Sequence, residues 1–343
     1  MTVNKIILIV VIGSGALMSF YWAEENNQMP LKIPSNFPPP IYDLKQNPVT
    51  EKGFALGRKL FYDGQLSRNG IVSCGFCHQQ PSAFTQHGHD VSHGVDDRLG
   101  KRNSLAISNV IWQKTFFWDG GVNHLDFVPL NALENPVEMD ETLENVLKKL
   151  NQSPAYKSEF KEAFQTEVIT STHFLSALSQ FMASLITANS RYDRYVRQEG
   201  EKLTSEELTG LSLFKKNCNS CHATDLFTDG SYRNNGVTTD YRFDKGRQEI
   251  TLQLNDRGKF KVPTLRNIEY TDPYMHDGSI ATLEEVLDHY TDGVKDSPTL
   301  DPVLKSNGKL GITLTDADKK NIIAFLKTLT DNEFMAEKRF SEY

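Results

Sequence analysis

All four cysteines of this 343-residue chain fall in two runs, "SCGFCHQQ" at residues 73–80 and "CNSCHAT" at residues 218–224, so each Cys-x-x-Cys pair is followed at once by a histidine. No other feature constrains the fold as much. Two disulfides would also use four cysteines in an exported chain, but they impose no histidine, and a chain of this length buries its own cores without them. A zinc ribbon expects pairs much closer together than Cys77 and Cys218. A thioredoxin-like site expects one pair on a βαβ unit, and no such pattern is present. Cys-x-x-Cys-His is the attachment signal of c-type haem: the spacing sets two thiols on one helical turn while the next residue offers an imidazole to the iron. The two runs therefore read as two covalent haem c sites, Cys74, Cys77 and His78 in one and Cys218, Cys221 and His222 in the other, with His78 and His222 as axial ligands.

The net charge is −7, and no basic block occurs that could neutralise phosphates, which excludes a nucleic-acid binder. Residues 5–22, "KIILIVVIGSGALMSFYW", place one lysine before an apolar run. Residues 1–23 thus read as a signal peptide or an uncleaved membrane anchor, and the chain as exported to the periplasm, with tethering to the inner membrane left open. Residues 24–48 are proline-rich and read as a linker.

Helical periodicity dominates the remainder, and strand patterns are nearly absent. Thr204 with Glu207, Thr282 with Glu285, and Asp140 mark expected helix starts. A weak internal repeat is also present: Asn109 precedes Trp118-Asp119-Gly120 by the offset at which Asn267 precedes His276-Asp277-Gly278, with Leu125 and Leu283 in register. The expected fold is all-α, two cytochrome c-like haem domains in tandem over residues 49–195 and 196–332, with a tail at 333–343.

The runs "LSRNGIVSCGFCH", "GKRNS", "FFWDG", "NPVEM", "PTLRN", "PYMHDGSIATLEEV" and "IIAFLKTL", in this order, resemble the bacterial di-haem cytochrome c peroxidase and MauG family over about residues 45 to 332. The resemblance implies an N-terminal haem that meets peroxide and a C-terminal haem that passes or stores electrons. It makes Glu138 the distal acid–base and Trp118 the indole between the two haems. On the residues alone, Glu138 reads first as an acid before a helix and Trp118 as plain core. His93, in a histidine- and glycine-rich loop, falls where members that need activation carry a displaceable ligand, while His87 and His89 read as solvated. At the C-terminal haem, Tyr290 stands where methionine-ligated members carry their sixth ligand, as in MauG-like enzymes. The helical spacing of Leu283, Val286, Leu287 and Tyr290 turns the tyrosine inward and His289 off that face. Gly121 and Val128 replace an arginine and a glutamine common in relatives. Asn103, Thr271 and Pro273 match positions that hold calcium between the domains.

The first expectation is a peroxidase reducing hydrogen peroxide to water with electrons from a small cytochrome c or cupredoxin, as a monomer or a homodimer. The alternatives are a MauG-like peroxide-dependent oxidase of a protein side chain and a non-enzymatic di-haem electron carrier.

Overall fold

The computed structural model describes residues 28–86, 88–306 and 308–342. The signal or anchor at residues 1–23 and His87 lie outside the described residues. In the first half the helices are α1 (Glu51–Tyr62), α2 (Cys74–Cys77), α3 (Val128–Glu134), α4 (Leu143–Gln152), α5 (Pro154–Phe164) and α6 (Ser171–Ser184). The second half carries α7 (Arg191–Val196), α8 (Ser205–Asn217), α9 (Gln248–Thr251), α10 (Leu283–Asp288) and α11 (Asp316–Lys327), and α12 (Asn332–Ala336) ends the chain. Extended pairing among the described residues is slight. The longest ladders are two-residue antiparallel pairs, Tyr232–Arg233 with Phe260–Lys261 and Lys305–Ser306 with Lys309–Leu310.

Each half is built on one helix crossing, α1 over α6 and α8 over α11, and in both a glycine sits at the contact. A Cβ on Gly57 would lie 2.0 Å from the Ala177 carbonyl oxygen, and one on Gly210 would lie 1.9 Å from that of Asn321. The two backbones therefore touch where a side chain would hold them apart. Phe54, Leu60 and Phe61 of α1 pack with Phe174, Leu178 and Phe181 of α6, and Phe214 of α8 packs with Ile322, Phe325 and Leu326 of α11. Thr204 and Glu207 form the expected capping box at the start of α8, as do Thr282 and Glu285 at the start of α10. The start expected at Asp140 is displaced. Thr142 caps α4 by accepting from the Asn145 amide, whereas Asp140 takes φ 50° and its carboxylate binds Arg68 at 2.8 Å and Arg98 at 3.1 Å.

The internal repeat is a repeat of backbone geometry. Asn109 and Asn267 are left-handed, with φ 54° and 58°, and each opens a short 3₁₀ turn, Val110–Trp112 or Ile268–Tyr270. Asparagine tolerates this conformation and here also caps a neighbour. Asn109 N donates to Leu185 O and its Oδ1 accepts from Thr187 N, while Asn267 N donates to Leu329 O and its Oδ1 accepts from Asp331 N. Each asparagine thus closes the chain just beyond the C-terminus of α6 or α11. Single bridges then pinch both x-Asp-Gly loops, Phe116 with Val122 and Tyr274 with Ile280.

Residues 28–48, read above as a linker, lie against both halves. Phe37 is buried edge-on to Trp112 at 5.1 Å, the Trp112 indole donates to Pro38 O at 2.6 Å, and Asn36 Nδ2 donates to Asp193 and Asp225 at 3.1 Å each. At the seam, Arg266 and Asp193 form an ion pair with both side chains fully buried. The same guanidinium donates to Thr187 O and Asp225 O at 2.9 Å and lies 4.8 Å from the Phe37 ring centre. The C-terminal segment folds back on the first half: Phe334 is buried there, and Gln80 Nε2 donates to Glu337 O at 2.8 Å. Among the described residues no helix is long and apolar enough to cross a membrane.

Gly210→Ala should lower stability by about 1–3 kcal/mol, the usual cost of overpacking. Denaturant unfolding followed at the second haem should show a lower midpoint, and an unchanged midpoint would remove the glycine contact as a constraint on the crossing.

Candidate functional site

The two Cys-x-x-Cys-His runs are presented alike. Cys74 and Cys77 bracket the single turn α2, which packs under α1, where a Cβ on Gly75 would meet the Tyr62 ring at 2.2 Å. His78 Nδ1 donates to Phe84 O at 2.9 Å, and His222 Nδ1 donates to Phe227 O at 3.1 Å. Both phenylalanines are left-handed, with φ 63° and 54°, which swings their carbonyls onto the imidazoles. A carbonyl can only accept, so it fixes the tautomer and leaves Nε2 free for a metal. Burial pushes His78 down to about 4 and also lowers His222, so both rings stay neutral, the form that ligates. No disulfide joins any of the four cysteines. Around the second run lies a cavity of about 200 Å³ walled by Leu283, Leu287, Ile322 and Leu326 and reached by Cys218, Cys221, His222 and Tyr290. Apolar walls, paired thiols and a carbonyl-fixed imidazole fit a covalently held haem, and the first run repeats the donor set.

Two expected residues, His93 and Glu138, converge on the first run. The Cys77 thiol donates to His93 O at 3.5 Å. Gly94, next in that loop, leaves no room for a side chain, since a Cβ would lie 2.5 Å from Glu138 Cα. Val95 N donates to Glu138 O at 2.8 Å, so the His93 loop and the Glu138 turn are joined through backbone. Glu138 accepts from Asn135 Nδ2 at 2.8 Å, and burial raises its carboxyl above the ordinary range. Because α4 begins at Leu143, Glu138 is outside its first turn, and the dipole reading loses its basis. The His93 ring is half-buried and packs 4.4 Å from that of exposed His89.

Trp118 is buried, and its indole donates to Asn103 O at 2.8 Å. It lines both the second cavity and a cavity of about 440 Å³ at the seam between the halves. Asn103, Thr271 and Pro273 line that larger space too. Asn103 Nδ2 donates to Asp90 O at 3.1 Å, which leaves its Oδ1 with no protein donor among the described residues; the Thr271 and Pro273 carbonyl oxygens likewise accept none. Oxygens without a protein donor are the kind of ligand a hard cation takes, and all three residues face the same cavity.

In the second cavity the Tyr290 hydroxyl accepts from Asn235 Nδ2 at 3.5 Å, and burial pushes its phenol up to about 12. His289 is buried off the cavity, as its helical position requires, and donates to Asn235 O at 3.0 Å. Helix α10 does not simply end here; it widens into one π turn over His289–Gly293, the kind of irregularity that gathers at functional sites. Sequence reasoning misses this turn, Asn235, and Lys261. Buried Lys261 lines both cavities and donates to Gln113 Oε1 at 3.1 Å and to Thr115 O, and burial lowers it to about 8. Its setting, "KFKVP", carries no local signal of burial.

Two such sites on tandem, similarly built helical units define a c-type cytochrome with two haem-binding units. The comparisons agree: residues 51–201 match the di-haem cytochrome c peroxidase family and residues 208–330 match cytochrome c. The chain is 31% identical to methylamine utilization protein MauG of Methylorubrum extorquens, over 93% of this chain and 90% of that protein. It is 33% identical to cytochrome c551 peroxidase of Nitrosomonas europaea, over 86% and 85%. A crystal structure of a MauG-like protein associated with microbial copper homeostasis superposes with a TM-score of 0.82 at 34% identity, covering 92% of this chain and 99% of that one. The chain belongs to the di-haem cytochrome c peroxidase and MauG family.

Native protein should hold two haems through acid–acetone extraction, and the double change Cys218→Ser, Cys221→Ser should leave one. Pyridine haemochrome quantitation reads the difference, and one haem in the parent would defeat the two-site assignment.

Proposed function

We propose that this chain is an exported, periplasmic di-haem peroxidase that reduces hydrogen peroxide to water with electrons from a small cytochrome c or cupredoxin. The observation that carries the reading is the convergence of Glu138 and the His93 loop on Cys74, Cys77 and His78. Haem c, when bound, supplies the iron and the electrons for cleaving the peroxide bond, and two electrons and two protons convert each peroxide to two waters. Glu138 takes the proton of the inner peroxide oxygen and returns it to the outer one, a transfer a single carboxylate can make in both directions. Asn135 holds the carboxylate in place for it. Gly94 keeps the His93 loop against the Glu138 turn, so a movement of that loop would open or close the peroxide side. Trp118 relays charge between the halves from a position fixed by the Asn103 carbonyl. Calcium, bound through Asn103, Thr271 and Pro273, would hold the same residue from its other end.

A second reading, MauG-like oxidation of a protein side chain, is favoured by Tyr290. Its phenol stays protonated in a buried site unless a cation lies beside it. A tyrosine so placed favours the oxidised iron, whereas methionine raises the potential.

Glu138→Gln keeps shape and removes the proton carrier, so steady-state peroxide turnover should fall roughly 10²-fold or more with both haems retained. Turnover equal to the parent's would reduce Glu138 to a structural acid. Because burial raises the Glu138 carboxyl, its base form is lost as pH falls through a value above that of an ordinary glutamate. The acid limb of kcat/KM should therefore sit higher than for an exposed carboxylate and disappear in Glu138→Gln. Tyr290→Met should raise the midpoint potential of the second haem in a redox titration. A chain that ignores peroxide with every donor would be an electron carrier.

A further inference from the structure

The backbone of Asn235 is held from three sides by hydrogen bonds within the protein. The preceding Asn234 is 2% exposed, and its Nδ2 lies 2.8 Å from Tyr241 Oη, 2.9 Å from Thr299 Oγ1 and 3.1 Å from Ser297 Oγ. Its Oδ1 accepts from Gly236 N at 2.9 Å. Gly236 has φ 73°, a conformation that favours glycine, and Lys295 N donates to its carbonyl at 2.9 Å. From the helix side, His289 Nε2 donates to the Asn235 carbonyl at 3.0 Å. The backbone is thus held before it, after it and across from it.

The side chain that this loop carries reaches the second cavity. Asn235 Nδ2 lies 3.3 Å from Met275 Sδ and 3.5 Å from Tyr290 Oη, and an amide nitrogen has one hydrogen for each. Both acceptors line the cavity that Cys218, Cys221 and His222 enter. The π turn explains how one residue serves two neighbours: His289 binds the asparagine carbonyl while Tyr290 faces its amide. Met275 is left-handed, with φ 74°, in the x-Asp-Gly loop, so its sulfur is delivered to the amide by the backbone. The cavity therefore contains two groups able to bind iron, a phenol oxygen and a thioether sulfur, joined through one rigid donor.

We propose that Asn235 is a positioning residue for the second haem: its amide holds the Tyr290 oxygen and engages the Met275 sulfur, so that the tyrosine oxygen and not the thioether serves the iron. Residues outside the ligand set that orient it are what tune a metal. The proposal rests on the reading of Tyr290 as the group that faces the second iron.

The test uses the two-haem protein and reads resonance Raman tyrosinate bands and the midpoint potential of each haem in Asn235→Asp, Asn235→Leu, Met275→Leu and Tyr290→Phe. Asn235→Asp keeps the shape and loses the N–H donors, and Asn235→Leu removes the donors without adding charge. Both should lose or shift the tyrosinate bands and move the potential of the second haem, with haem content and the potential of the first unchanged. Met275→Leu should keep the bands. If Tyr290→Phe abolishes the bands while both Asn235 variants match the parent, the positioning role is wrong and the ligand reading stands. If Tyr290→Phe itself matches the parent, the ligand reading fails and the proposal with it. Loss of the bands in Met275→Leu would also overturn it, because the sulfur would then be part of what holds the ligand. A shift of both haems together in the Asn235 variants would show a general structural effect and overturn it as well.

Discussion

The buried ion pair of Arg266 with Asp193 is the point on which the two halves turn. An arginine at 1% exposure is tolerable only because its donors are met by the Asp193 carboxylate, Thr187 O and Asp225 O, with Phe37 against its face. Removing one partner of such a pair typically costs about 3–5 kcal/mol, because it strands the other charge. The four groups it gathers come from the N-terminal strap, the connection between the halves, the α7 helix and the loop after the second Cys-x-x-Cys-His. That guanidinium shares the seam with other bonds between the halves: Arg102 pairs with Asp244 at 2.6 Å, and Lys261 N donates to Trp118 O at 2.7 Å, which holds the indole between the cavities.

What the internal repeat keeps and what it changes separate scaffold from chemistry. Kept are the glycine crossing, the left-handed asparagine that closes the last helix, and the carbonyl that fixes the histidine tautomer. These solve problems that each half has alone. Changed are the side chains that face the partner half. Trp118 and His276 hold the same place in their loops and meet edge-on at 6.5 Å, and Asn103 ties both, accepting from the indole and donating its N–H to His276 O. Phe260 then stacks on His276 at 3.6 Å. One loop carries the indole at the seam and the other supports it from across.

The parts legible in the sequence were those with a short-range physical signature. Cys-x-x-Cys-His, the capping boxes at Thr204 and Thr282, and the helical stripe that ends on Tyr290 each announce themselves within a few residues. The offset between Asn109 and Asn267 was legible as a repeat, though its meaning as a pair of helix stops was not. Glu138 needed the family resemblance, since an acid near a helix start is common. Asn235 and Lys261 stayed invisible because their roles depend on partners far along the chain. The proline-rich segment was misjudged as a linker because composition says nothing of where Phe37 and Trp112 meet. The start assigned to Asp140 failed for a related reason: Arg68 and Arg98 claim its carboxylate, and the cap passes to Thr142.

The return of the C-terminal segment to the first half bears on the order in which the protein can be made. Phe334 and Phe340 pack with Phe84, the residue whose carbonyl holds His78, and Tyr62 Oη donates to Phe340 O at 2.7 Å. The hydrophobic cluster beneath His78 is therefore closed by residues that follow the second half along the chain. The first half cannot complete its own floor alone, and its folding is tied to that of the half that comes after it.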